Sequence, residues 1–97
     1  MADLVLPLKG EYFDAIKAGD KLEEYRLATA YWDKRLVVGG VAKTFDRIVL
    51  LRGYPKRGDE KRRLIRKWNG WRMRQLTHPH FGPDPVVVYA IDVSHPA

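Results

Sequence analysis

The residues best equipped for chemistry are the eight from Gly19 to Arg26, Gly-Asp-Lys-Leu-Glu-Glu-Tyr-Arg, a G-x-K-x-x-E-x-R spacing. Lysine supplies a point charge and arginine a planar donor fork, the two ways a side chain grips phosphate or another oxyanion. A carboxylate between them serves as an orienting acceptor, a reader of base-edge donors or an acid–base group. If residues 22–27 form a strand, Leu22, Glu24 and Arg26 face one way and Glu23, Tyr25 and Leu27 the other. Charges on an inner face are costly unless paired, hydrogen-bonded or wet. Two readings follow. In one, Lys21 and Arg26 bind an anion in a cleft while Glu24 orients Arg26 or touches a base edge. In the other, Glu24 and Arg26 are a structural ion pair. Lys9, ending the first predicted strand, is a further candidate for the cleft.

A second concentration of charge lies at residues 52–74. Arg52, Lys56, Arg57, Lys61, Arg62, Arg63, Arg66, Lys67, Arg72 and Arg74 are ten of the eighteen cations and meet only Asp59 and Glu60, a local charge of +8 against +6 for the whole chain. Such a patch is the footprint of a polyanion-binding surface. Tyr54, Trp68 and Trp71 are interleaved with it, and exposed aromatics stack on unpaired bases. The competing reading is a solvated surface with tryptophans packed inward, which suits Trp68 and Trp71 better.

Other chemistries find little support. There is no cysteine, which removes disulfides, thiolate metal sites and thiol catalysis. Ser94 is the lone serine, which argues against a Ser-His-Asp hydrolase. His78 and His80, with Asp84 and a distant His95, match no strong metal signature, so no metal or other cofactor is expected. His80 remains a candidate cleft contact or general base. Gly39-Gly40 lacks the Lys-Ser/Thr of a phosphate-cradling loop. With no signal peptide and no apolar run long enough to span a membrane, the expected location is the cytoplasm, with no membrane partner.

The elements that must position these residues fit one domain, residues 1–97, with 94–97 a flexible tail. Strands are expected at 3–8, 22–27, 46–52, 61–68, 71–77 and 86–93. The four apolar residues Ile48 to Leu51 mark a strand buried on both faces. Tyr12, Phe13 and Ile16 form a helical stripe over 11–18, with Gly19 at the left-handed stop position. Thr29 begins a second helix over 30–37, Gly39-Gly40 ends it, and Val38 to Thr44 reads as a loop. Asn69-Gly70 signals a hairpin between the strands on either side. The fold class is α+β, mainly β, with five to six strands closing on themselves and two short helices at the mouth.

Tyr12-Phe13-Asp14-Ala15-Ile16 followed by Gly19-x-Lys21-x-x-Glu24-x-Arg26, then Arg52-Gly53-Tyr54 and a last strand Tyr89-Ala90-Ile91-Asp92-Val93, resembles the ASCH domain of the PUA-like superfamily. The resemblance covers nearly the whole chain. It implies a small β-barrel with a cleft beside the first helices, and RNA binding, often by small stand-alone proteins of bacteria and phages. Some relatives hydrolyse N4-acetylcytidine nucleosides through a threonine three residues after the motif lysine. Glu24 occupies that position here, which argues against that chemistry. Others are described as ribonucleases, with no firm residue match in this chain.

The reading that results is an RNA-binding module. Its cationic cleft is Lys21, Glu24 and Arg26, with Lys9 beside it. Arg52, Tyr54, Lys56, Arg57, Arg62, Arg63, Arg66, Lys67, Arg72 and Arg74, many of them on a basic hairpin, contact the strand. DNA is a second candidate partner. The alternatives are a small hydrolase acting on RNA or a modified nucleoside, with Lys21 and Glu24 as acid–base groups, and a protein-interaction adaptor.

Overall fold

The computed structural model describes residues 2–97 and is α+β, mainly β. In chain order its elements are β1 (Leu4–Leu8), α1 (Gly10–Ala18), β2 (Glu23–Leu27), α2 (Ala30–Leu36), β3 (Val37–Val38), β4 (Val41–Ala42), β5 (Arg47–Arg52), β6 (Arg63–Lys67), β7 (Trp71–Leu76) and β8 (Val86–Asp92). Single 3-10 turns occupy Glu60–Arg62 and Pro79–Phe81. The six longer strands match the six expected and fall into two three-stranded sheets. In one sheet β5 lies between β1, parallel to it, and β6, antiparallel. In the other β8 lies between β2 and β7, both antiparallel.

Alternation drives the packing. Leu4, Leu6 and Leu8 of β1 are buried while Val5 is exposed. With Ile48 and Leu50 of β5 and Tyr89, Ile91 and Val93 at the end of the chain, they form a core that Phe13 and Ile16 of α1 and Leu36 of α2 complete. The central strands are also buried on their second faces, at Val49, Val88 and Ala90, as their continuous apolar runs require. Trp68 and Trp71 pack against this core, and the Trp71 indole N–H donates to the Leu36 carbonyl at 3.3 Å.

No ladder joins β1 to β2 or β6 to β7, so backbone pairing does not close the sheets. Side chains and residues 93–96 span both gaps. On one side the Arg26 guanidinium donates to the Pro7 carbonyl at 2.9 Å, an edge position where proline has no N–H left unpaired. On the other, Arg66 Nε donates to the Val93 carbonyl at 3.0 Å, the Lys67 N–H donates to the His95 carbonyl at 2.8 Å, and Arg66 and Pro96 form an isolated bridge.

The hairpin expected at Asn69-Gly70 does not form. Strands flank it, but β6 pairs with β5 and β7 with β8. A two-residue I′ turn needs positive φ at both central residues. Here only Gly70 has it, and the pair makes a corner between sheets in which Asn69 donates to Asp92 at 2.7 Å. The expected loop at 38–44 is corrected too: Gly39 and Gly40, at φ 58° and 77°, meet the I′ requirement and join β3 to β4. Thr29 is the N-cap of α2 but makes no capping bond with its side chain.

Candidate functional site

The helix stop delivers the first site residue. Gly19 sits at φ 85°, and beyond it the N–H groups of Asp20 and Lys21 both bond the Ala15 carbonyl, turning the chain from α1 toward β2. Lys21 emerges at that turn. On β2, Glu24 pairs with Ile91 and Arg26 with Tyr89, so both face the side that carries the core. Glu24 is only 4% exposed. Its two oxygens lie 3.7 Å from Lys21 Nζ and 3.5 Å from the Arg26 guanidinium, and one also accepts from the Tyr25 N–H at 3.2 Å. The charged inner face read from the motif is therefore present and paired.

These side chains line a cavity of about 330 Å³ between the ends of β1 and β2. Pro7, Leu8 and Lys9 supply one wall and Tyr12 of α1 another. Gly53 and Tyr54 come from the loop after β5, and His78, His80 and Phe81 from the loop after β7. The Gly53 N–H donates to the Leu8 carbonyl at 2.8 Å, which ties the first of these loops to the end of β1. His78 Nδ1 accepts from the His80 N–H at 3.1 Å, and both imidazoles meet the Tyr12 ring edge-on. Lys9, Lys21 and Arg26 against the single carboxylate of Glu24 leave the cavity cationic.

Lys21 sits between two aromatic rings. Its ammonium lies 4.3 Å from the Tyr25 ring centre and 5.5 Å from that of Tyr12. Burial pushes its pKa below the usual lysine value and Arg26 adds to that, while Glu24 and Glu23 pull the other way. Arg26 is tied to Pro7 and Glu24 and lies over Trp32 at 5.4 Å, with its Nε buried and unpartnered among the described residues. Burial, Glu11 and Glu24 raise the Tyr12 phenol, which keeps it a hydrogen-bond donor.

The other candidate residues lie elsewhere. Arg52 grips Asp14 with two bonds, over Gly10. Arg72 and Arg74 clamp Glu23 on the outer face of the second sheet, which lowers the Glu23 pKa, and Arg74 also donates to the Tyr25 hydroxyl at 3.0 Å. Arg62 pairs with Asp59 at 3.4 Å, and Arg66 donates to the carbonyls of Val93, Ile16 and Ile65. Lys56, Arg57 and Lys67 are exposed and Arg63 is half-buried. So Lys9, Lys21, Glu24, Arg26 and Tyr54 meet in the cavity, and the remaining cations spread over other surfaces. Tyr12 and Tyr25 were missed as site residues because a helical stripe and an outward strand position are the ordinary places for core and surface residues. Phe81 gave no signal of its own.

Among the described residues, no group of three or more His, Asp or Glu is placed to hold a metal ion, and no helix is long and apolar enough to cross a membrane. The fold and site define an α+β, mainly β domain with a cationic, aromatic-walled pocket between two sheets. A scan against protein-family models and searches of curated proteins and of solved structures find no match to the chain.

Proposed function

We propose that this protein is an ASCH-type, PUA-like RNA-binding domain of the cytoplasm, whose pocket takes one unpaired nucleobase. On this reading the two sheets are the halves of a small barrel, with Arg26 spanning one opening and residues 93–96 the other. The observation that carries the functional reading is the meeting of Lys21, Glu24 and Arg26 with Tyr12, Tyr25 and Tyr54 in one cavity of about 330 Å³. That volume falls at the small end of ligand sites. A flat base suits the aromatic walls, its ring donors suit the Glu24 carboxylate, and its phosphate suits Lys21 and Lys9.

The test is a titration of single-stranded RNA against the wild type and Lys21→Met, followed by anisotropy at several salt concentrations. Affinity should fall as salt rises, and Lys21→Met should weaken binding about tenfold, as expected for losing a charge-assisted contact. Absence of binding at low salt, or binding indifferent to Lys21, refutes the pocket reading.

One observation favours a second reading. A desolvated lysine of lowered pKa beside a buried carboxylate is a pairing suited to acid–base chemistry. A hydrolase acting on RNA or a modified nucleoside would turn over a panel of such substrates, detected by mass spectrometry, and lose turnover in Lys21→Met. Binding without turnover leaves the module.

A further inference from the structure

Tyr54 is 90% exposed although it stands on the rim of the pocket. It belongs to the turn Gly53-Tyr54-Pro55-Lys56-Arg57-Gly58, which is tied to β1 at Gly53 and closed by the Asp59 N–H donating to the Lys56 carbonyl at 3.1 Å. A tyrosine this bare contributes almost nothing to the core, and its ring is open to solvent. Lys56 and Arg57 follow it after Pro55. Both are exposed, and neither side chain has an ion-pair or hydrogen-bond partner among the described residues. Arg52, Arg62, Arg72 and Arg74 are by contrast each held by a carboxylate. Two unpartnered cations therefore lie close in the chain to the pocket's most exposed aromatic ring, and Lys9, also exposed, lines the pocket itself.

We infer, resting on the base-pocket reading, that the ligand is a single-stranded RNA of at least two nucleotides rather than a free nucleoside or nucleotide. One base enters the pocket, the next stacks on Tyr54, and the phosphates beyond it lie against Lys56 and Arg57. A stacking platform needs an unpaired base with an open π-face, and unpartnered cations beside it follow the backbone without reading sequence. A duplex offers neither an extruded base nor an open face at the rim.

Isothermal titration with the four ribonucleoside monophosphates, then with di-, tetra- and octaribonucleotides, reads the step directly. Duplex RNA, single-stranded DNA and an acidic peptide are the comparison arms. The dinucleotide should bind more tightly than the monophosphate by roughly 5- to 150-fold, the range for stacking one base on an aromatic ring. Tyr54→Ala should collapse that ratio and Tyr54→Phe should keep it. Lys56→Ala with Arg57→Ala should reduce the salt dependence of octanucleotide binding. Because these side chains are exposed, the variants should keep the wild-type melting temperature, which is checked alongside. If monophosphates bind in a Lys21-dependent way but length adds nothing, or Tyr54→Ala leaves the ratio intact, the strand inference falls and the pocket reading stands. If no nucleotide of any length binds, both fall. Preference for duplex RNA or for the acidic peptide overturns the inference, and equal binding of single-stranded DNA removes its restriction to RNA.

Discussion

Glu24 is the residue on which the site turns. It is a buried carboxylate with Lys21 at one oxygen and the Arg26 guanidinium at the other. Replacing it by glutamine keeps the shape and removes the charge that offsets two cations. Glu24→Gln should cost about 1–3 kcal/mol of stability, because both partners lose a charged acceptor. It should also lower the Lys21 pKa further, since Glu24 is a principal opponent of its desolvation. Chemical denaturation and the pH dependence of Lys21 labelling check the two parts; an unchanged midpoint would mean that Glu24 is held by the fold rather than holding it. A second residue-scale prediction concerns Tyr89, whose hydroxyl donates to Asp33 and whose pKa is pushed up to about 12 from 10.0 by that bond and by burial. A raised folded pKa stabilises the protonated form, so this contribution is complete below about pH 10 and is lost between pH 10 and 12. Asp33→Asn should flatten the loss of stability over that window relative to the wild type. Single residues were the scale at which the sequence was least informative about role. Nothing in its composition separates Arg66, committed to three carbonyls, from Arg57, committed to none.

At the scale of elements, the helix stop at Gly19 connects fold to site. Its φ of 85° is left-handed, a region that costs other L-residues about 1–2 kcal/mol. Gly19→Ala should therefore lower stability by about 1–2 kcal/mol, with Gly19→Asn losing less, because asparagine tolerates that region better. Both should weaken ligand binding by moving Lys21, two residues on. Equal stability of all three proteins would remove the argument. This element was legible because its signal is local: a helical stripe ending in glycine names its own stop. The Asn69-Gly70 corner was not, because its turn type depends on the φ of Asn69, which tertiary pairing decides. β6 completes the sheet of β5 opposite β1, and β7 completes that of β8 opposite β2, so the strands on either side of the dipeptide lie in different sheets and it only turns a corner. Gly39-Gly40 held the converse lesson, a true hairpin turn between strands of two residues that are too short to show a period.

At the scale of the whole molecule, the two sheets share a core but no ladder, and each gap between them is spanned differently. The pocket lies at the Arg26 gap, and its lining comes from segments around residues 7–12, 21–26, 53–54 and 78–81. The second carried the charged motif, and Lys9, Tyr54 and His80 were single candidates in the other three, but that the four segments meet is a product of the fold and leaves no spacing in the sequence. The opposite gap is spanned by residues 93–96, where the Lys67 N–H meets the His95 carbonyl and Arg66 bridges Pro96. If that clasp holds the sheets together, a protein ending at Val93 should lose about 1–2 kcal/mol, from a backbone hydrogen bond and the packing beside it. For a chain of this size the melting temperature should then fall by roughly 4–8 °C per kcal/mol. The Val93 carbonyl remains in the shortened protein, so Arg66 keeps one anchor and the fold should survive. Ligand affinity measured well below the melting point should hardly change, since the pocket is at the other gap. An unaltered melting temperature would mean that 94–97 behaves as a free tail and that the core alone keeps the sheets in register. A lowered melting temperature accompanied by an equal loss of affinity would mean that the two gaps are mechanically coupled, with the clasp setting the width of the pocket.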